Sequence, residues 1–135
     1  MSGTGWRWIK ENSVLAIHDA QLEEHGGVAG VRDMSLLLSA LARPENLASY
    51  GKPEPDLAAL SAAYAVGICR DHAFVDGNKR TALVVALTFI QKNGYLVQPN
   101  QRDAVTTMLA VADGKLSEAG LAQWFRSYMR PLSSE

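Results

Sequence analysis

Cysteine is nearly missing from this chain. Its 135 residues hold one, Cys69, so no internal disulfide can form, and a reducing compartment fits. An excess of either charge is missing too. Thirteen Lys and Arg against 14 Asp and Glu leave a net charge of −1, which excludes the strong basic field that draws nucleic acid. No block of like charges marks a solvating tail. The apolar run ALVVALTFI falls well short of the roughly 20 residues of a membrane span. The opening MSGTGWRWIKEN lacks the apolar centre of a signal peptide. The expectation is a soluble cytoplasmic protein with no direct nucleic-acid or membrane partner. Repeats, low-complexity tracts and linkers are also missing. One domain over 1–135 follows, with 1–10 as a loosely ordered N-terminus and enough chain for one core.

What remains is helical in pattern. Over ENSVLAIHDAQLEEHGG, Asn12 or Ser13 suits an N-cap and Gly26 a stop, with Val14, Leu15, Ile17, His18 and Leu22 as the apolar stripe. GVAGVRD is a glycine-rich turn, and Asp33 caps a short helix, MSLLLSALAR, that Pro44 ends. ENLASYGKPEP is expected to be a surface loop, since Pro44, Pro53 and Pro55 crowd it. Asp56 caps LAALSAAYAVGICRD, and Asn78 caps a second apolar helix ending at Gly94. Both are apolar on most sides, which places them at the centre. GYLVQPN is a short extended flap, RDAVTTMLAVADG a helix, and a last helix opens near Ser117 with Leu121, Trp124, Phe125 and Tyr128. The expected class is all-α, a compact helical bundle.

Between the two central helices lies HAFVDGNKRT, His72 to Thr81. A plain connection needs a glycine and a cap, not this chemistry. A loop entering a helix N-terminus offers unpaired N–H groups and the positive end of a dipole, a ready anion site. Gly77 lets the backbone approach a ligand. Lys79 and Arg80 add two charges, and Arg grips phosphate with paired hydrogen bonds. Asp76 would repel that phosphate unless Mg²⁺ lay between them. A neutral His72 imidazole can take a proton from an attacking hydroxyl. Base, metal ligand and phosphate cradle together describe phosphoryl or nucleotidyl transfer.

Each part also has a plainer reading. A histidine at a helix C-terminus often just complements the dipole, Asp-Gly is a common turn, and Asn a common cap. Cations at a helix N-terminus, however, are electrostatically misplaced without an anion, and that misplacement points to a ligand. His18 is expected to pack or cap, His25 to lie in an exit turn, and Cys69 to fill the core.

HAFVDGNKRTA resembles the signature of the Fic/Doc superfamily, and most closely its Doc branch, the "death on curing" toxins of bacterial toxin–antitoxin modules. IHDAQLEEHGGVAGVRD, FIQKNGYLV and VADGKLSEAGLAQWF resemble further segments of that family, so the likeness runs from about Ile17 to about Tyr128. It implies a Fic fold with ATP and Mg²⁺ as cofactors. It implies His72 as general base, Asp76 as Mg²⁺ ligand, and Gly77, Asn78, Lys79 and Arg80 at the nucleotide phosphates. Phe74 would anchor the loop, and Arg70 would support it.

The departures from the family pattern matter. Ala73 stands where proline is common. Fic adenylyltransferases have GNGR and a further arginine three residues on; here the segment is GNKR and that later position is Leu83. In the Doc branch such a variant goes with a reversed nucleotide, whose γ-phosphate faces the target. The implied activity is a protein kinase acting on a threonine of elongation factor Tu, so that translation and growth stop. The alternatives are AMP transfer on the same scaffold and a binding module without turnover. No Ser or Thr precedes a Glu in the family's autoinhibitory pattern, so inhibition must come from a cognate antitoxin of the prevent-host-death type. Val14, Leu15, Leu22, Trp124 and Tyr128 are candidate apolar contacts for it.

Overall fold

The computed structural model describes residues 5–132. Six helices carry the fold: α1 (Glu11–His25), α2 (Met34–Tyr50), α3 (Leu57–Asp71), α4 (Asn78–Lys92), α5 (Gln101–Ala112) and α6 (Glu118–Tyr128). Two short strands, β1 (Tyr95–Leu96) and β2 (Arg130–Pro131), pair antiparallel. The mostly α expectation therefore holds among the described residues.

Helix α3 is the axis. Twelve of its 15 residues are buried, which leaves it no solvent face and explains its lack of a polar stripe. It packs against α2, α4, α5 and α6. Asp56 caps it by accepting from Ala59 N at 2.9 Å, and the same carboxylate is gripped by Arg126 of α6 at 2.9 and 3.0 Å. Asp33, Asn100 and Ser117 cap α2, α5 and α6 in the same way.

Three local expectations are corrected. Helix α1 begins at Glu11 after Lys10, with no side-chain cap from Asn12 or Ser13. Helix α2 does not stop at Pro44 but runs on to Tyr50, so the first half of the expected surface loop is helical. Pro44 removes one intrahelical donor, the partner of the Ala40 carbonyl. Pro44 is itself buried, and Ala40 lies against α3 where a Cβ on Gly67 would come within 3.3 Å of Ala40 Cα. Interhelical packing here outweighs the local preference of proline.

The N-terminal segment is the third correction. Residues 1–4 lie outside the described residues, but from Trp6 onward the chain is packed, not loose. Trp8 stacks on Phe89 with ring centroids 5.6 Å apart. Ile9 is buried, and its N–H donates to the Tyr64 hydroxyl at 3.0 Å. Burial pushes that hydroxyl's pKa up to about 12. Tryptophans bury enough area to order a segment that has no regular structure.

The extended segment after α4 is present as β1, paired to β2. It lies at the C-terminal end of a 15-residue helix, about 22 Å along the axis from the motif at the other end. It does not cover the motif.

Candidate active site

His72 closes α3 in the left-handed region, φ 52° and ψ 48°, unlike any other non-glycine residue among those described. That conformation turns the chain out of α3, and the His72 side chain is exposed. Ala73 and Phe74 then dive into the core. Val75 and Asp76 return to the surface, and Gly77, at φ 78°, leads into α4.

Asn78 does not cap α4. Gly77 is the N-cap, and Asn78 is the first helical residue. Its side chain reaches back across the loop, accepting from Phe74 N at 3.0 Å and donating to Phe74 O at 2.9 Å. One amide thus closes both backbone groups of the buried anchor residue. Phe74 is 1% exposed.

The glycine-rich segment between α1 and α2 binds the rest of the loop. Val31 forms a bridge with Phe74. The Ala73 carbonyl accepts from Arg32 N and Asp33 N at 2.7 and 3.1 Å, and Val75 N donates to Gly30 O at 3.1 Å. The Arg32 guanidinium donates to the His72 carbonyl at 2.7 Å, which fixes the backbone under the imidazole.

Asp76 accepts from Val28 N at 3.2 Å through one carboxylate oxygen and from Gly77 N at 2.9 Å through the other. These N–H groups, in that order, hold its carboxyl below the usual carboxylate range, and Arg80 and Lys79 add to the pull. Glycine suits position 27, which sits at φ 128° and where a Cβ would come within 2.9 Å of the Asp76 carboxylate. Mg²⁺ fits this carboxylate. Each oxygen carries one N–H bond and keeps a lone pair. Among the described residues no group of three or more His, Cys, Asp or Glu side chains could enclose a metal. A single carboxylate plus substrate phosphates and water is the ordinary setting of Mg²⁺.

Lys79 and Arg80 occupy the first turn of α4, where backbone N–H groups lack intrahelical partners. Arg80 donates to the Gly26 carbonyl at 3.2 Å, while its Nε is buried without a hydrogen-bond partner. The two cations border a mostly apolar cavity of about 200 Å³, completed by Leu83, Ala104, Met108 and Leu109 of α4 and α5. Two of the larger hollows, about 380 Å³ beside Arg43 and about 420 Å³ beside Pro53, contain none of the motif residues.

The Arg70 side-chain hydrogen bonds seen among the described residues do not go to the motif loop. Arg70 donates to the carbonyls of Val111 and Leu116 at 3.0 and 2.8 Å, and so ties the end of α3 to the turn after α5. Its spacing from His72 is a helical step that turns it to another face. Val14 is fully buried and so is no surface contact for a partner. Leu15, Leu22, Trp124 and Tyr128 are half-buried, and the last two both donate to Asp103. His18 is more than a packing residue: its Nε2 lies 2.8 Å from the Asp76 carbonyl.

The Fic/DOC family model matches residues 8–90. The chain is 35% identical to "Protein kinase doc" of Escherichia phage P1 over 120 residues, 89% of this chain and 94% of that protein. It is 45% identical to "Toxin Doc" of Mycolicibacterium smegmatis over 69 residues, 51% of this chain and 53% of that protein.

Proposed function

The chain belongs to the Fic/Doc family, and from that premise we propose that it is a toxin of a toxin–antitoxin module whose enzymatic act is phosphoryl transfer from ATP to a protein hydroxyl. The carrying observation is the exposed His72 at the end of α3, joined by a braced loop to the unpaired N–H groups of α4 with Lys79 and Arg80 beside them. A threonine of elongation factor Tu is the proposed acceptor and the cytoplasm the proposed compartment. Among the described residues no helix is long and apolar enough to cross a membrane.

The chain's own residues divide the work. His72 accepts the proton of the attacking hydroxyl as its oxygen bonds to the γ-phosphorus and the bond to the β–γ bridging oxygen breaks, releasing ADP. Lys79, Arg80 and the first N–H groups of α4 hold phosphate oxygens and offset their charge. Asp76 would hold Mg²⁺, which supplies further charge neutralisation at the phosphates when bound. The Lys79 side chain supports γ- over α-phosphate transfer, because it stands where adenylyltransferases of the family keep a glycine that leaves room for phosphate.

An enzyme so arranged needs an inhibitor in trans. The proposed partner is a small antitoxin of the prevent-host-death type, whose disordered segment folds on the toxin. Incubating the protein with elongation factor Tu, Mg²⁺ and ATP labelled at either phosphate tests the chemistry. Label from the γ position is expected on the target and none from the α position. Transfer of the α label would make the protein an AMP transferase, and no transfer with a competent target would make it a binding module.

A further inference from the structure

We propose that His18 is a positioning residue that locks the Asp76–Gly77 peptide in the one orientation compatible with anion binding. The proposal rests on the reading above in one respect, that phosphate sits beside the first turn of α4.

His18 is 2% exposed. Its ring stacks on Phe74, with centroids 3.8 Å apart and planes 12° from parallel. Its Nε2 lies 2.8 Å from the Asp76 carbonyl oxygen. A carbonyl oxygen only accepts, so Nε2 must carry the proton. In a trans peptide the C=O and N–H point in opposite directions. Holding the carbonyl towards His18 therefore turns the Gly77 N–H the other way, where it donates to the Asp76 carboxylate at 2.9 Å.

Glycine makes this lock necessary. Gly77 sits at φ 78° and adopts negative φ about as readily. A flip of the Asp76–Gly77 peptide would leave every side chain in place and cost residue 77 almost nothing. It would swing a carbonyl oxygen to the side where the N–H now lies. That oxygen would face the Asp76 carboxylate, acceptor against acceptor, and would repel a phosphate approaching Lys79 and Arg80. The tight turn that lets the backbone approach phosphate is thus the turn most able to reverse. A buried donor 58 residues earlier in the chain prevents the reversal.

The substitution His18→Phe keeps the ring, the burial and the stack on Phe74 but removes the donor. His18→Gln restores a donor without the aromatic ring. Binding of a non-hydrolysable ATP analogue with Mg²⁺, followed by calorimetry, should weaken about tenfold in His18→Phe and stay within about threefold of wild type in His18→Gln. The Gly77 amide signal should broaden by exchange in His18→Phe alone. In the wild type, nitrogen-15 spectra should show the His18 proton on Nε2. A proton on Nδ1, unweakened binding by His18→Phe, or equal losses in both variants would overturn the proposal. The tautomer and the amide broadening need no turnover and no variant activity, so they separate failure of this inference from failure of the kinase reading.

Discussion

Replacing Asn78 by alanine should loosen the motif loop by about 1.5 kcal/mol. The Asn78 amide makes two hydrogen bonds to one residue, at 3.0 Å to Phe74 N and 2.9 Å to Phe74 O, in a part-buried setting. Each such bond is worth about 1 kcal/mol net, and a group left unpaired costs about 1–3 kcal/mol. Water can reach part of this loop, so the lower end applies to both groups. Against this stands alanine's better helix propensity, about 0.5 kcal/mol. The balance is near 1.5 kcal/mol, a sizeable share of the roughly 5–15 kcal/mol that holds a domain. With a urea slope of about 2 kcal/mol/M, the midpoint should fall by about 0.7 M. Asn78→Asp sharpens the test. Its carboxylate can accept from Phe74 N and gains about 0.3–1 kcal/mol at the helix N-terminus, but it cannot donate to Phe74 O. It should be destabilised at neutral pH and recover in acid, where the protonated carboxyl donates again. Alanine and wild-type midpoints that agree within about 0.2 M would refute the clamp, since the predicted shift is several times larger.

Three further outcomes follow from the same geometry. Substituting His72 should cost about 10²–10⁴-fold in transfer rate; because its φ is 52°, His72→Asn tests the base more cleanly than His72→Ala, as Asn tolerates that region, and full transfer by either variant would remove His72 from the mechanism. Arg126 holds the Asp56 carboxyl below its ordinary value of 3.8, so the pair's stability is present above that pH and lost as pH falls through the folded value. Asp56→Asn keeps the cap and should lower stability at neutral pH by about 1 kcal/mol or less, as suits an exposed pair; urea midpoints of the two proteins should converge in acid, and a gap constant with pH would contradict this. Gly67→Leu should cost about 3 kcal/mol or more by thermal unfolding, because even a Cβ there meets Ala40 Cα at 3.3 Å, and an unchanged melting temperature would mean that α2 and α3 can part without penalty.

The helices and the loop between α3 and α4 were legible because both rest on local signals. Periodicity, Asp at the N-caps of α2 and α3, and misplaced cations at the head of α4 are each contained in a few residues. Pro44 misled because its local cost is offset by burial against α3, which no window of sequence contains. Asn78 looked like a cap because caps and clamps use the same side chain; only the left-handed Gly77 shows that the cap position was already filled. The hydrogen bonds of His18 and Arg32 to the motif loop were not visible because their partners are carbonyls 58 and 40 residues away. A backbone carbonyl has no letter in the sequence, so contacts of this kind leave no motif.

The brace from the α1–α2 segment also has a consequence for synthesis. Residues 26–33 leave the ribosome well before the loop they hold, and α3 lies between the two. The loop therefore cannot take its braced shape until α3 and the loop itself have emerged and α3 has turned back onto α2. The proposed activity depends on that closure. The stretch between α2 and α3, residues 51–56, is a natural place to divide the protein into halves with braces in one and loop in the other. Neither half holds both, so toxicity from the two expressed together would report their reassembly directly.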